Sequence, residues 1–252
     1  MNLLRAIIHA YLYLPYFYQK LSGAGPFGHE GATYISTPVS PHDNELKKAL
    51  LRHYVRQYHE SSCSVASVVA VVNALRSRGA EQLPPITQMD ILDRVKTGNW
   101  KERMGEKGVN GRRGVPLALL GEIVKGSLLA YGIEHESVET VQAFRNPGKA
   151  EKIKRTLLQH LTDFDTKGNC LIIAHFNQGV YIPTLGIPHI SPVGGFDPRT
   201  GKVTLLDVDA SELGGPYEIS LGAFYRGMAS AYNPILRHLG YKNGGYVLVR
   251  LR

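Results

Sequence analysis

Cys63, His189 and Asp207 are the residues of this sequence whose types and order could do covalent chemistry. Cys63 is one of only two cysteines and stands in residues 57–75, Q-Y-H-E-S-S-C-S-V-A-S-V-V-A-V-V-N-A-L. Two serines precede it, and an apolar run follows that ends at Arg76-Ser77-Arg78-Gly79. The length of the run suits three to four helical turns, although its valines keep a buried strand open as an alternative. Ser61 or Ser62 is the expected N-cap and Gly79 the expected stop. Cys63 then lies in the first turn, where unfilled backbone N–H groups and the helix dipole favour a thiolate. Gln57, six residues upstream, stands where the chain enters the helix. Its side-chain amide, together with the Cys63 backbone N–H, is placed to hold an oxyanion.

A base for the thiol comes from the second half of the chain. His189 lies in G-I-P-H-I-S-P-V-G-G-F and Asp207 in V-T-L-L-D-V-D, with the turn Asp197-Pro198-Arg199-Thr200-Gly201 between them. If the hairpin centres on residue 198 or 199, His189 faces Asp207 or Asp209, on one face of the sheet. A bulge near Gly194-Gly195 breaks that parity. A carboxylate orienting an imidazole that faces a helix-start cysteine is the arrangement of thiol catalysis. Each residue alone has a plainer reading: a buried small hydrophobe for Cys63, a structural strand histidine, an aspartate capping a turn. Rival bases are His59, four residues before Cys63, and His175, one strand earlier with no acid opposite. Cys170, in N-C-L-I-I-A-H-F, reads as a core residue of a buried strand.

These residues need a scaffold, and the pattern supplies one. Helical spacing marks residues 45–58, the Cys63 run, 86–95 with Thr87 as cap, 115–131 with Pro116 in the first turn and Gly132 past the end, and 149–164. Residues 97–114 read as a basic loop around the only tryptophan, Trp100. Strands follow at 170–176, 187–196 and 203–208, then a helix at 221–231 and a last strand at 245–251. The pattern is α+β: a helical N-terminal half carrying the cysteine helix, packed on a C-terminal antiparallel sheet.

Composition bounds the function. The 252 residues carry a net charge of +8, with a pI near 9.4, which suits anionic partners. The basic residues are scattered and no nucleic-acid-binding signature appears, so nucleic acid is set aside. Two cysteines make neither a disulfide framework nor a metal centre, and no cofactor or metal-binding residues are expected. Residues 1–18 are apolar and aromatic, with Leu4, Ile7, Ile8 and Tyr11 on one helical face. They are too short, and Pro15 too intrusive, for a spanning helix; they suit a packed or partner-facing helix, a membrane-associated segment, a signal sequence cleaved near Ser22-Gly23-Ala24-Gly25, or a disordered segment. The location is cytoplasmic or, if that segment is a signal or anchor, periplasmic or membrane-associated.

Three blocks resemble the phytochelatin synthase family, short bacterial-type members in particular. They are Cys63-Ser64-Val65-Ala66-Ser67 running into Val72-Asn73-Ala74-Leu75, then His189-Ile190-Ser191-Pro192-Val193-Gly194-Gly195-Phe196, then Leu205-Leu206-Asp207-Val208. The resemblance implies a papain-like catalytic domain over residues 33–252, behind an apolar extension and loop over 1–32. It implies a thiol acyltransferase acting on glutathione, with Cys63 as nucleophile, His189 as base and then acid, Asp207 orienting His189, and Gln57 at the oxyanion. Glycine leaves, and the γ-glutamylcysteinyl thioester passes to a second glutathione or to water. Cadmium or zinc would enter as the metal–glutathione thiolate substrate, and a homodimer is compatible. Two departures stand out: Ser64 replaces the family's glycine, and the stretch Val208-Asp209-Ala210-Ser211-Glu212 is acidic where the family is basic. Rival readings are a cysteine peptidase or amidase on another substrate, and a catalytically inactive, membrane-associated binding protein.

Overall fold

The structure, a computed structural model, describes residues 3–22, 32–36, 44–79, 83–180, 182, 186–209, 215–230 and 243–252. Its helices are α1 (Leu3–Ser22), α2 (Glu45–Arg52), α3 (Cys63–Arg76), α4 (Gln88–Arg94), α5 (Trp100–Met104), α6 (Leu117–Ala130), α7 (Pro147–Lys167) and α8 (Leu221–Ala229). Its strands are β1 (Thr33–Tyr34), β2 (Ser137–Gln142), β3 (Cys170–Asn177), β4 (Pro188–Asp197), β5 (Lys202–Leu206), β6 (Pro216–Ser220) and β7 (Gly245–Arg250). The strands form one antiparallel sheet in the order β1-β6-β5-β4-β3-β7-β2. The architecture is therefore α+β, with most helices before most strands. The first half is not wholly helical, because β1 and β2 close the two edges of the sheet.

Helix α3 is the central element. From Ser64 to Leu75 every residue is buried, and the helix packs on α2, α4, α6 and β4. Five of its residues are fully buried valines, Val65, Val68, Val69, Val71 and Val72. Valine costs about 0.5 kcal/mol per position in helix propensity. Burying each side chain returns about 1.5–3 kcal/mol, so tertiary burial decides for helix over strand. The helix ends at Arg76, with Ser77 rather than Gly79 as its C-cap.

Local signals set most other boundaries. Thr87 and Asp90 form a reciprocal capping box on α4. Asn146 caps α7, Pro147 opens it, and Gly168, at φ 60°, closes it. Pro116 stands at the N-cap of α6 rather than inside its first turn. Residues 97–114 are not all loop: Trp100 begins α5 and is completely buried. The helix expected over 45–58 stops at Arg52. Beyond it the Tyr54 hydroxyl donates to the Asp207 carbonyl, and the Gln57 N–H donates to the Val208 carbonyl at 2.7 Å. The chain leaves the helix to make these long-range bonds.

The hairpin of β4 and β5 holds a β-bulge. On the turn side Asp197 faces Lys202 and Phe196 faces Val203. Carried straight on, that register would put His189 and Asp207 on opposite faces of the sheet. Between Val193 and Gly195 the register shifts by one residue, so that Val193 faces Leu205. The shift returns His189 and Asp207 to one face. Parity is thus restored by the bulge, not broken by it. Gly194 permits the close approach: a Cβ there would lie 2.6 Å from Leu206 Cδ2.

Candidate active site

Cys63 is the first residue of α3 and is half-buried, while Ser64 behind it is buried. Ser62 occupies the N-cap position but makes no side-chain cap. Its hydroxyl turns back, donating to the His59 carbonyl at 2.7 Å and accepting from the His59 N–H at 2.9 Å. The N–H groups of Val65 and Ala66 bond to the Ser62 carbonyl, whereas those of Cys63 and Ser64, at the very start of α3, are not capped by that side chain. A helix start of this kind can receive an oxygen that acquires negative charge.

His189 enters from β4, paired with Phe176 of β3, whose ring meets the imidazole edge to face at 5.5 Å. Asp207 stands one residue past the end of β5 and is completely buried. The His189 Nε2 and Asp207 Oδ1 are 2.7 Å apart. The Cys63 side chain is the ring's other hydrogen-bond partner, which leaves Nδ1 for the thiol. Burial by itself lowers the imidazole's proton affinity. The Asp207 carboxylate, and after it Cys63, outweigh burial and push the His189 pKa up to about 10. The ring thus stands between a sulfur and a carboxylate that both favour its protonated form.

Asp207 is held in turn. The Gln178 Nε2 donates to its Oδ2, and the Asp209 N–H donates to Oδ1 at 3.0 Å. Gln178 was not legible in the sequence: it lies in a short 3-10 turn after β3, with no periodic or motif signal to single it out. Asp209 faces the carboxylate through its backbone, not across the sheet as an alternative partner for His189. The acidic stretch past it, residues 210–212, lies outside the described residues, as do positions 23–25 of the suggested cleavage site.

Gln57 is also brought here. Its backbone is tied to Val208, its side chain is 8% exposed, and its Oε1 has no hydrogen-bond partner among the described residues. Amide oxygen and nitrogen are interchangeable by a ring-like flip of the group, so a buried amide in this state has capacity for a ligand.

The rival bases are engaged by other partners. His175 is buried with its Nε2 3.1 Å from the Val115 carbonyl, and burial lowers its pKa to about 4. His59 turns its Nδ1 to Ser61 Oγ at 3.1 Å. Cys170 is buried in β3, its thiol donating to the His160 carbonyl at 3.5 Å, and burial pushes its pKa up to about 12. Ser64, which departs from the family pattern, accepts a hydrogen bond from the Trp100 Nε1 at 3.0 Å. The extra hydroxyl docks α5 against the first turn of α3. Among the described residues no group of three or more His, Cys, Asp and Glu side chains is placed to hold a metal ion.

A cavity of about 300 Å³ opens beside Cys63, lined by Glu60, Ser61, Arg113, Pro188 and Ile190 among others. Such a volume, next to a thiol, suits a small peptide or amide. No curated protein matches the chain significantly. The family model for phytochelatin synthase matches residues 28–236, a span that contains Gln57, Cys63, His189 and Asp207. The chain belongs to the phytochelatin synthase family.

Proposed function

We propose that the protein is a thiol acyltransferase that acts on glutathione, with Cys63 as nucleophile, His189 as proton carrier, Asp207 as its orienting carboxylate and Gln57 at the oxyanion. The observation that carries the reading is the hydrogen-bonded series Cys63–His189–Asp207 at the start of a buried helix, in a chain of this family. The thiol proton passes to His189 Nδ1. The sulfur attacks the carbonyl carbon of the Cys–Gly peptide, and the oxygen takes the electron pair beside the first N–H groups of α3 and the Gln57 amide. The carbon–nitrogen bond then breaks, and the imidazolium gives its proton to the departing amine of glycine. A γ-glutamylcysteinyl thioester remains on Cys63.

Two acceptors complete the cycle. The α-amine of a second glutathione gives the phytochelatin chain, and water gives γ-glutamylcysteine. In either case His189 takes the acceptor's proton and returns it to sulfur. Hydrolysis is at least as favoured as transfer, because the acidic segment after Asp207 replaces the basic one that the family resemblance ties to substrate binding. No resident cofactor is needed in this scheme, and cadmium or zinc acts only by converting glutathione to a metal thiolate substrate. The test is incubation with millimolar glutathione, with and without cadmium or zinc, followed by mass spectrometry. Glycine with γ-glutamylcysteine alone identifies a hydrolase, and oligomers of γ-glutamylcysteine ending in glycine identify a synthase. Absence of both, with Cys63 still alkylated faster than Cys170, overturns glutathione as substrate.

A second reading concerns α1. Ile7, Tyr11, Leu14, Tyr18 and Leu21 recur at three- and four-residue spacing and are all exposed, which makes an outward apolar stripe. The helix carries Arg5 and Lys20 and no acidic residue, and no described helix is long and apolar enough to cross a membrane. This composition suits lying on an anionic lipid surface. Co-sedimentation with phosphatidylglycerol vesicles, lost in Leu14→Glu and at high salt, is the expected result; equal recovery without vesicles overturns it.

A further inference from the structure

The cavity beside Cys63 has a chemistry of its own that the reaction above does not use. Arg113 reaches it from the loop before α6, its Nη2 donating to Ser61 Oγ at 2.9 Å and lying 3.5 Å from His59 Nδ1. Those contacts fix a planar guanidinium at the wall of a pocket that also contains the sulfur. Glu60, exposed at the rim, supplies the opposite charge. Val115, Pro188 and Ile190 make the rest of the lining largely apolar.

We infer that Arg113 and Glu60 form the recognition site for a zwitterionic α-amino-acid group, Arg113 taking the carboxylate and Glu60 the ammonium. Resting on the glutathione reading, this group is the far end of the γ-glutamyl moiety. Glutamate is joined through its side chain there, so both its α-carboxylate and its α-ammonium are retained. The glycine end of glutathione offers a carboxylate but no cation, and has no use for Glu60. The position of the pocket points the same way. It contains Cys63 but not His189. The amine that leaves must lie at the imidazole to be protonated, whereas the acyl group that stays must extend from the sulfur in another direction. A guanidinium pairs with a carboxylate through two parallel hydrogen bonds, which fixes orientation as well as charge.

The test uses the full chain and three analogues of glutathione: γ-aminobutyryl-cysteinyl-glycine, which lacks the α-carboxylate; glutaryl-cysteinyl-glycine, which lacks the α-ammonium; and the glycinamide form. Wild-type protein should release glycine from the first with kcat/KM lowered at least about tenfold relative to glutathione. In Arg113→Met the two substrates should fall within about threefold of each other, and Glu60→Gln should level glutathione and the glutaryl analogue in the same way. The glycinamide penalty should be equal in wild type and Arg113→Met. Discrimination that survives in Arg113→Met, or that vanishes for the glycinamide instead, overturns the assignment. A measurement independent of turnover compares alkylation of Cys63 by iodoacetate and by iodoacetamide. Arg113→Met should slow the anionic reagent relative to the neutral one by about fivefold or more. If no preparation releases glycine, the glutathione reading fails, and the alkylation ratio still decides whether this pocket takes a carboxylate.

Discussion

Cys63 and Cys170 each contact a histidine, and each histidine has a charged partner on its Nε2. At Cys63 the partner is the Asp207 carboxylate, and His189 is pushed up to about 10. At Cys170 the thiol meets only the backbone of His160, whose Nε2 lies 2.9 Å from the Arg250 guanidinium. Burial and that positive charge lower the His160 pKa, and burial pushes Cys170 up to about 12. The same residue types thus make a pair held beside a carboxylate in one place and a buried core contact in the other. What differs is the sign of the histidine's neighbour and whether the sulfur stands at a helix start or inside a strand.

The comparison breaks most sharply at the sulfurs. Cys63→Ala should abolish glycine release and thioester formation, a loss of roughly 10⁴-fold or more. Cys170→Ala should leave the rate within about twofold and cost about 1–2 kcal/mol in urea unfolding. Native-state alkylation at neutral pH should favour Cys63 over Cys170 by roughly a thousandfold. Full activity in Cys63→Ala would sink the assignment.

The neighbour's sign is tested next. Asp207→Asn keeps the hydrogen-bond geometry but removes the charge, and should lower kcat by about 10²–10⁴-fold with little change in circular dichroism. Gln178→Ala, which loosens Asp207 without touching sulfur, should cost about tenfold. Loss of the same size in Gln178→Ala as in Asp207→Asn would show that the carboxylate's charge is not the deciding factor.

The two histidine environments also predict opposite pH dependences of stability. His189 is raised from 6.5 to about 10, so its contribution is present below 6.5 and is lost as pH rises through 10. His160 is lowered, and His175 is lowered to about 4, so their contributions are present above 6.5 and are lost on acidification. A series of Tm values from pH 4 to 10 should fall at both ends, and His189→Gln should flatten the alkaline limb alone. An unchanged alkaline limb in His189→Gln would remove the imidazolium from the account.

The smallest effect expected is at Ser64. Ser64→Gly restores the family residue but deletes the acceptor for Trp100, and should cost about 1–2 kcal/mol with kcat nearly unchanged. A stabilising effect would mean that the hydroxyl is tolerated and not used.

The residues best read from the sequence were those tied to local periodicity. The apolar run put Cys63 at a helix start, and strand alternation with the 197–201 turn put His189 near Asp207. Features decided by distant partners were not legible. The helix over 45–58 ended early because Tyr54 and Gln57 bond to Asp207 and Val208. Gln178 is buried by the tertiary fold and carries no spacing signal. Strands β2 and β6 were missed because β2 is partly exposed along its length without alternation and β6 is only five residues long. The capping role expected of Ser62 was overridden by a local bond to His59.

Gly194 gives the bulge one more meaning, in terms of insertions and deletions. Removing that one residue would subtract no side chain, no charge and no hydrogen-bonding group other than a single peptide. With the turn and β5 unchanged, it would leave His189 in a straight ladder on the reverse face from Asp207. The sheet and its hydrophobic content would survive almost intact while the imidazole pointed away from the sulfur. In this hairpin the tolerance of the chain to length change is therefore not graded: an odd change between His189 and Asp207 disconnects the site, and a second compensating one across the turn reconnects it.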